Sequence, residues 1–160
     1  MIGFRRATFG TASAFALAAA VFVAPHEGLR TQAYPDALAN NLPTVCYGET
    51  RGVTLTDTYT KPECDAMLAV AVQDFHDKLA RCFPKLPDQP LGVRVALTSW
   101  VYNVGPGAAC KSTLVRLANQ GNLKAACDQL PRWNRASGYV VRGLSNRRGK
   151  ERALCLASLK

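Results

Sequence analysis

Apolar positions along the chain fall into a few patterned stretches separated by proline- and glycine-rich breaks. The first is an uncharged run of 19 residues from Ala7 to Pro25, preceded by Arg5 and Arg6, and it is just long enough to span a bilayer. Alanine, glycine, serine and threonine make up most of it, and only Phe9, Phe15, Leu17, Val21, Phe22 and Val23 are strongly apolar, so it inserts weakly. Further on, Thr60-Lys61-Pro62-Glu63 has the form of a helix start with proline in the first turn. A helix is predicted from there to about Cys82, with Met67, Leu68, Val70, Ala71, Phe75 and Leu79 near helical spacing. Gln89 to Val104 is the most apolar stretch after the N-terminus and reads as a central buried helix, since Arg94 interrupts a run already too short for a membrane. Shorter helices are expected over Ser112 to Asn119, Leu123 to Leu130 and Ser145 to Leu159. Trp133 to Val141 is loop-like, and its Trp133 and Tyr139 either line a cleft or pack inward.

Chemistry concentrates between His26 and Thr50. Glu27 is expected on a short helix ending near Ala33, because the residue before a proline leaves the helical region and Ala33-Tyr34-Pro35-Asp36 turns the chain back. Asp36 then faces Glu27 across a groove, and Thr44 heads a strand-like run, Thr44-Val45-Cys46-Tyr47-Gly48. Of two carboxyl groups flanking a substrate, one in an apolar setting can keep its proton and act as acid, while the other stays ionised. An acid, a second carboxylate and a hydroxyl that holds water are the parts needed to hydrolyse a glycosidic bond.

Glu27-Gly28-Leu29-Arg30, Ala33-Tyr34-Pro35-Asp36 and Thr44-Val45-Cys46-Tyr47-Gly48 closely resemble the opening of the phage-type lysozymes, the endolysins with which phages open their hosts. The resemblance continues through Ala96 to Trp100, Asn103-Val104-Gly105, Ser112-Thr113-Leu114 and Gly143 to Arg148 with Glu151-Arg152. It implies an α+β, lysozyme-like fold: a small antiparallel β-hairpin lobe, a mainly helical lobe and a cleft between them. It also implies Glu27 as general acid, Asp36 and Thr44 as the pair that positions or activates water, and Arg147 as the arginine paired with the catalytic glutamate. The reaction implied is inverting hydrolysis of the β-1,4 bond between N-acetylmuramic acid and N-acetylglucosamine in peptidoglycan, with no metal and no organic cofactor. Two departures stand out: Ala39-Asn40-Asn41 lengthens the hairpin tip by two residues, and Glu49 and Cys46 stand where many relatives have histidine and glycine.

The six cysteines, Cys46, Cys64, Cys82, Cys110, Cys127 and Cys155, all follow the N-terminal run, and no Cys-x-x-Cys pair exists. This favours disulfides in an oxidising compartment over zinc. Fifteen connectivities are open, and sequence proximity suggests Cys46 with Cys64, Cys110 with Cys127, and Cys82 with Cys155. The N-terminal run explains the compartment in one of two ways. It is a cleaved signal peptide with Ala18-Ala19-Ala20 as cleavage site, or, as the resemblance implies, a signal-anchor-release segment over residues 1–25 ahead of a catalytic domain over 26–160. In the second case a single span holds the domain on the periplasmic side of the host inner membrane until release, and tethering keeps the groove around Glu27 from closing. A net charge of +9 favours polyanionic surfaces such as the cell wall. The cluster Arg142, Arg147, Arg148, Lys150 and Arg152 lacks interleaved aromatics, so nucleic acid is not expected as a partner. Apart from the arginine reaching Glu27, that cluster reads as a solvated face. A monomer is expected. The rival readings are a lytic transglycosylase, which needs the acid but not Asp36 and Thr44, and a non-enzymatic cationic membrane- or wall-binding protein.

Overall fold

The computed structural model describes residues 12–160, so Arg5, Arg6 and the first part of the apolar run lie outside the described residues. Among the described residues no helix is long and apolar enough to cross a membrane. The later part of the run forms α1, Ala14–Val23, capped by the Ser13 hydroxyl, which accepts from the Ala16 amide. Its Phe15, Ala16, Ala19, Ala20 and Val23 are buried, in a core shared with α2 (Lys61–Ala80) and α3 (Leu91–Val104). Small residues on the inward stripe let the backbones approach closely, which is why a weakly apolar segment makes a good core helix.

A 3-10 turn over Ala24–His26 follows, and then the chain becomes extended. The helix expected to carry Glu27 and end near Ala33 does not form: Arg30 to Asp36, the expected turn over Ala33 to Asp36 included, is strand β1, paired antiparallel with β2 (Leu42–Cys46). Helical propensity loses here because Pro25 sits in the tight turn, Glu27 is already extended at φ −110°, ψ 145°, and ladder hydrogen bonds to β2 replace those of a helix. The hairpin tip contains Asn40 and Asn41, both with positive φ, a conformation asparagine tolerates better than most residues.

Helix α2 starts as the sequence predicts, with a capping box between Thr60 and Glu63. Its buried face runs through Cys64, Leu68, Ala69, Val72, His76 and Leu79, whereas Val70 is exposed. Helix α3 is the central buried helix, surrounded by α4 (Pro106–Cys110), α5 (Thr113–Asn119), α6 (Leu123–Cys127) and α7 (Arg142–Ala157). Trp133 packs edge-on against Trp100 at 5.3 Å. Beyond it a small hairpin of β3 (Arg135–Ala136) and β4 (Tyr139–Val140) projects Tyr139 into solvent.

All six cysteines are paired, as Cys46–Cys64, Cys82–Cys110 and Cys127–Cys155. The first matches the expectation from proximity, and the other two correct it. Helix α4 folds back onto the end of α2 and brings Cys110 to Cys82, while the end of α6 meets α7 and brings Cys127 to Cys155. The partner of a cysteine is set by which helices pack, and adjacency in sequence does not report that.

Candidate active site

Glu27 stands directly after the turn that leaves α1, so its position is fixed by how α1 docks. From the other side of the fold Arg147 of α7 reaches it, its Nη1 donating to Glu27 Oε1 at 2.7 Å. The same guanidinium donates to the Ser99 carbonyl at 3.0 Å and to Glu151 Oε1 at 3.2 Å. Glu151 also accepts from the Ser99 hydroxyl at 2.6 Å and from Arg148 Nη2 at 3.0 Å, and Arg148 Nε lies 2.7 Å from its second oxygen. Arg147 is 4% exposed and Arg148 and Glu151 are fully buried. The basic cluster is therefore not a solvated face at Arg148 either: Glu151, one turn on, draws both arginines inward because a buried charge must be paired.

Electrostatics follow from that burial. Desolvation pushes the Glu151 carboxyl above the ordinary glutamate range while the two guanidiniums pull it down. Burial lowers Arg148 to about 10. His26, beside Glu27, is lowered to about 4 by burial and by the positive charges of Arg147, Lys150 and Arg148. Tyr102 of α3 donates to the Tyr47 carbonyl at 3.0 Å, and its phenol is pushed up by burial and by the negative charges of Glu27 and Glu49.

The hairpin presents the other two expected residues. Tyr34 pairs with Thr44 and Asp36 with Leu42, so by the two-residue period Asp36 and Thr44 lie on one face as diagonal neighbours, about 7 to 8 Å apart. Thr44 is 2% exposed and donates to the Leu42 carbonyl at 3.1 Å, which leaves the hydroxyl oxygen's lone pairs to accept. Asp36 caps the turn at the hairpin tip, its Oδ1 accepting from the Leu38 amide at 2.9 Å. Glu49 is tied to its own turn, accepting from the Thr50 and Arg51 amides and from the Arg51 side chain.

Beyond Tyr102 a cavity of about 260 Å³ opens between the turn at Gly48 to Arg51, α2 and Tyr102 itself. Among the described residues no group of three or more histidine, cysteine or acidic side chains is placed to hold a metal. Sequence reading missed Ser99, Arg148, Glu151 and Tyr102. The signal for the first three was present: a serine inside the apolar helix α3, and an Arg-Arg-x-x-Glu spacing that stacks opposite charges on one helical face.

A family model described as phage lysozyme matches residues 24–151. The chain is 43% identical over 132 residues to the SAR-endolysin of Bacteriophage PS119, covering 81% of this chain and 76% of that protein. The active form of P1 phage endolysin Lyz superposes with a TM-score of 0.75 at 26% identity, over 89% of this chain and 85% of that one. The secreted inactive form of the same endolysin gives 0.53 at 26% identity, over 69% and 77%.

Proposed function

As the chain belongs to the phage lysozyme family, and is thus a peptidoglycan-cleaving endolysin of the signal-anchor-release type, we propose that it is a muramidase acting through Glu27, Asp36 and Thr44. Glu27 protonates the leaving oxygen of the β-1,4 bond between N-acetylmuramic acid and N-acetylglucosamine. Asp36 and Thr44, sharing one face of the hairpin, hold and activate the attacking water, which gives inversion. The observation that carries the reading is the pairing of Glu27 with Arg147, which fixes one carboxyl at the junction of the hairpin and the helical lobe. The test is Glu27→Gln on purified peptidoglycan. Loss of at least about 10² in rate is expected from removing a general acid, and lysis that survives would leave only the cationic, non-enzymatic reading. Reducing-end products support hydrolysis, and anhydro products would assign a transglycosylase.

The same reading extends to activation. While residues 1–25 span the inner membrane, with Arg5 and Arg6 on the cytoplasmic side, Ala14–Val23 cannot pack on α2 and α3, and Glu27 cannot take its place. Release lets α1 fold into the core. The closer likeness to an active endolysin than to an inactive one supports the packed state as the working one. Depolarising cells that express the full chain is expected to move it from the membrane to the soluble periplasmic fraction as a monomer. Retention in the membrane with full lytic activity would defeat this account.

A further inference from the structure

We propose that the contact of Phe15, His76 and Arg94 is a pH-sensitive latch on α1: the helix docks while the His76 ring is neutral and is let go when the ring takes up a proton. The inference rests on the account of activation, in which α1 must pack on α2 and α3 before Glu27 is in place, and it adds the condition under which packing succeeds.

Three elements meet at this ring. His76 of α2 and Phe15 of α1 are both buried, with ring centroids 4.5 Å apart. The Arg94 guanidinium of α3 lies 4.3 Å from the centre of the Phe15 ring, and its Nε is 3.5 Å from His76 Nε2. On the other side His76 Nδ1 lies 3.1 Å from Asp77 Oδ1, which also accepts from Gln73 Nε2 at 2.9 Å. Gln73 Oε1 in turn accepts from the Ser13 hydroxyl that caps α1. These partners set the tautomer: Nδ1 carries the hydrogen toward the carboxylate, and the Nε2 lone pair faces Arg94. A proton taken from water therefore goes to Nε2, where it turns an acceptor into a donor and sets two positive groups 3.5 Å apart. Arg94 must withdraw, and with it the cation that covers Phe15. The charges facing the ring are Asp77 from its own helix and Arg94 from α3, and α1 adds none, since residues 12–25 are uncharged. Asp77 favours the proton, but its side chain is 63% exposed and water screens it. Burial of the ring, with Arg94, outweighs it and holds His76 below the ordinary histidine range. Phe15 is the largest of the five side chains that α1 buries, three of which are alanines, so no neighbour on the helix makes good its loss.

Hydrogen exchange of the full oxidised chain, read peptide by peptide and corrected for the intrinsic pH dependence of exchange, measures the latch. The docked form binds fewer protons than the undocked one, so protection of α1 falls as pH drops below 6.5. The measurement is made on the parent and on His26→Gln, in which His76 is the one histidine left. Between pH 7 and pH 5, α1 of His26→Gln is expected to lose about fivefold or more in protection relative to α3. One group with an undocked pKa of 6.5 allows about 25-fold at most. Adding His76→Gln is expected to abolish the loss, because its amide accepts from Arg94 without charging, and adding Arg94→Gln is expected to make it shallower. Equal losses in α1 and α3, a loss as steep without His76, or no loss over that range would overturn the latch. If the His76→Gln chain does not fold, Arg94→Gln decides, and a loss as steep as with the arginine overturns it. Cleavage of glycan enters none of these readings, so their failure leaves the muramidase reading standing. An α1 unprotected at every pH would overturn the latch and the packed-helix account of activation together.

Discussion

Arg147 donates to Glu27 across 120 residues of chain at 2.7 Å, and the same guanidinium is held by the buried Glu151 and the Ser99 carbonyl. The candidate acid is thus positioned by a side chain whose own rotamer is locked. Arg147→Ala is expected to lower kcat on peptidoglycan about a hundredfold with little change in KM, as misplacement of a reacting group does. Arg147→Lys should not restore it, because one ammonium cannot reach three acceptors arranged for a planar fork. Steady-state kinetics on soluble glycan fragments reads the split.

Glu151→Gln tests the ion cluster behind the site. Two buried arginines would lose their carboxylate, and breaking a buried ion pair from one side costs about 3 to 5 kcal/mol. Urea unfolding with the disulfides intact is expected to show that loss as a lower midpoint.

Phe15→Ala links α1 to the candidate acid. Phe15 is buried against His76, ring centroids 4.5 Å apart, and beneath the Arg94 guanidinium at 4.3 Å. Truncating a buried phenylalanine costs about 3 to 5 kcal/mol. Because the chain runs from α1 through one turn to Glu27, activity should fall at temperatures where the rest of the domain, followed by tryptophan fluorescence of Trp100 and Trp133, is still folded.

Acid should weaken the fold in a defined window. His26 is lowered from 6.5 to about 4, and His76 is lowered by burial and by Arg94 although Asp77 opposes the shift. Between pH 4 and 6.5 the unfolded chain therefore binds more protons than the folded one, so stability falls as pH drops through that range. Melting temperature measured from pH 7 down to pH 4 should decline, and His76→Gln should flatten the decline.

Reduction of Cys127–Cys155, which closes a separation of 28 residues, should cost about 3 to 4 kcal/mol by release of the unfolded chain. A Cys127→Ser, Cys155→Ser pair measured against the parent by denaturant unfolding checks it.

Much of the active-site region was legible in the residues themselves. The Thr60 to Glu63 cap and the buried helix over Leu91–Val104 follow from local rules of capping and periodicity, which act over a few residues, whereas the hairpin was legible only through resemblance. The pairing of Arg147 with Glu27 was legible only through resemblance, since nothing local links positions 120 apart. Ser99 was readable as a hydroxyl inside an apolar helix and Glu151 as a charge at helical spacing from two arginines, but not as partners of one another.

By itself the sequence determined where α2 starts, that a buried helix lies over Leu91–Val104, that six thiols would be oxidised, and which short stretch carries two carboxyls and a threonine. Tertiary structure alone decided that residues 30–36 form a strand, that Cys82 meets Cys110, that Arg148 is buried, and that Ala14–Val23 serves as a core helix. The reason is common to all four. Each depends on a partner distant in the chain, and the gain from burying apolar surface, pairing a buried charge or completing a ladder exists only once packing has brought that partner alongside.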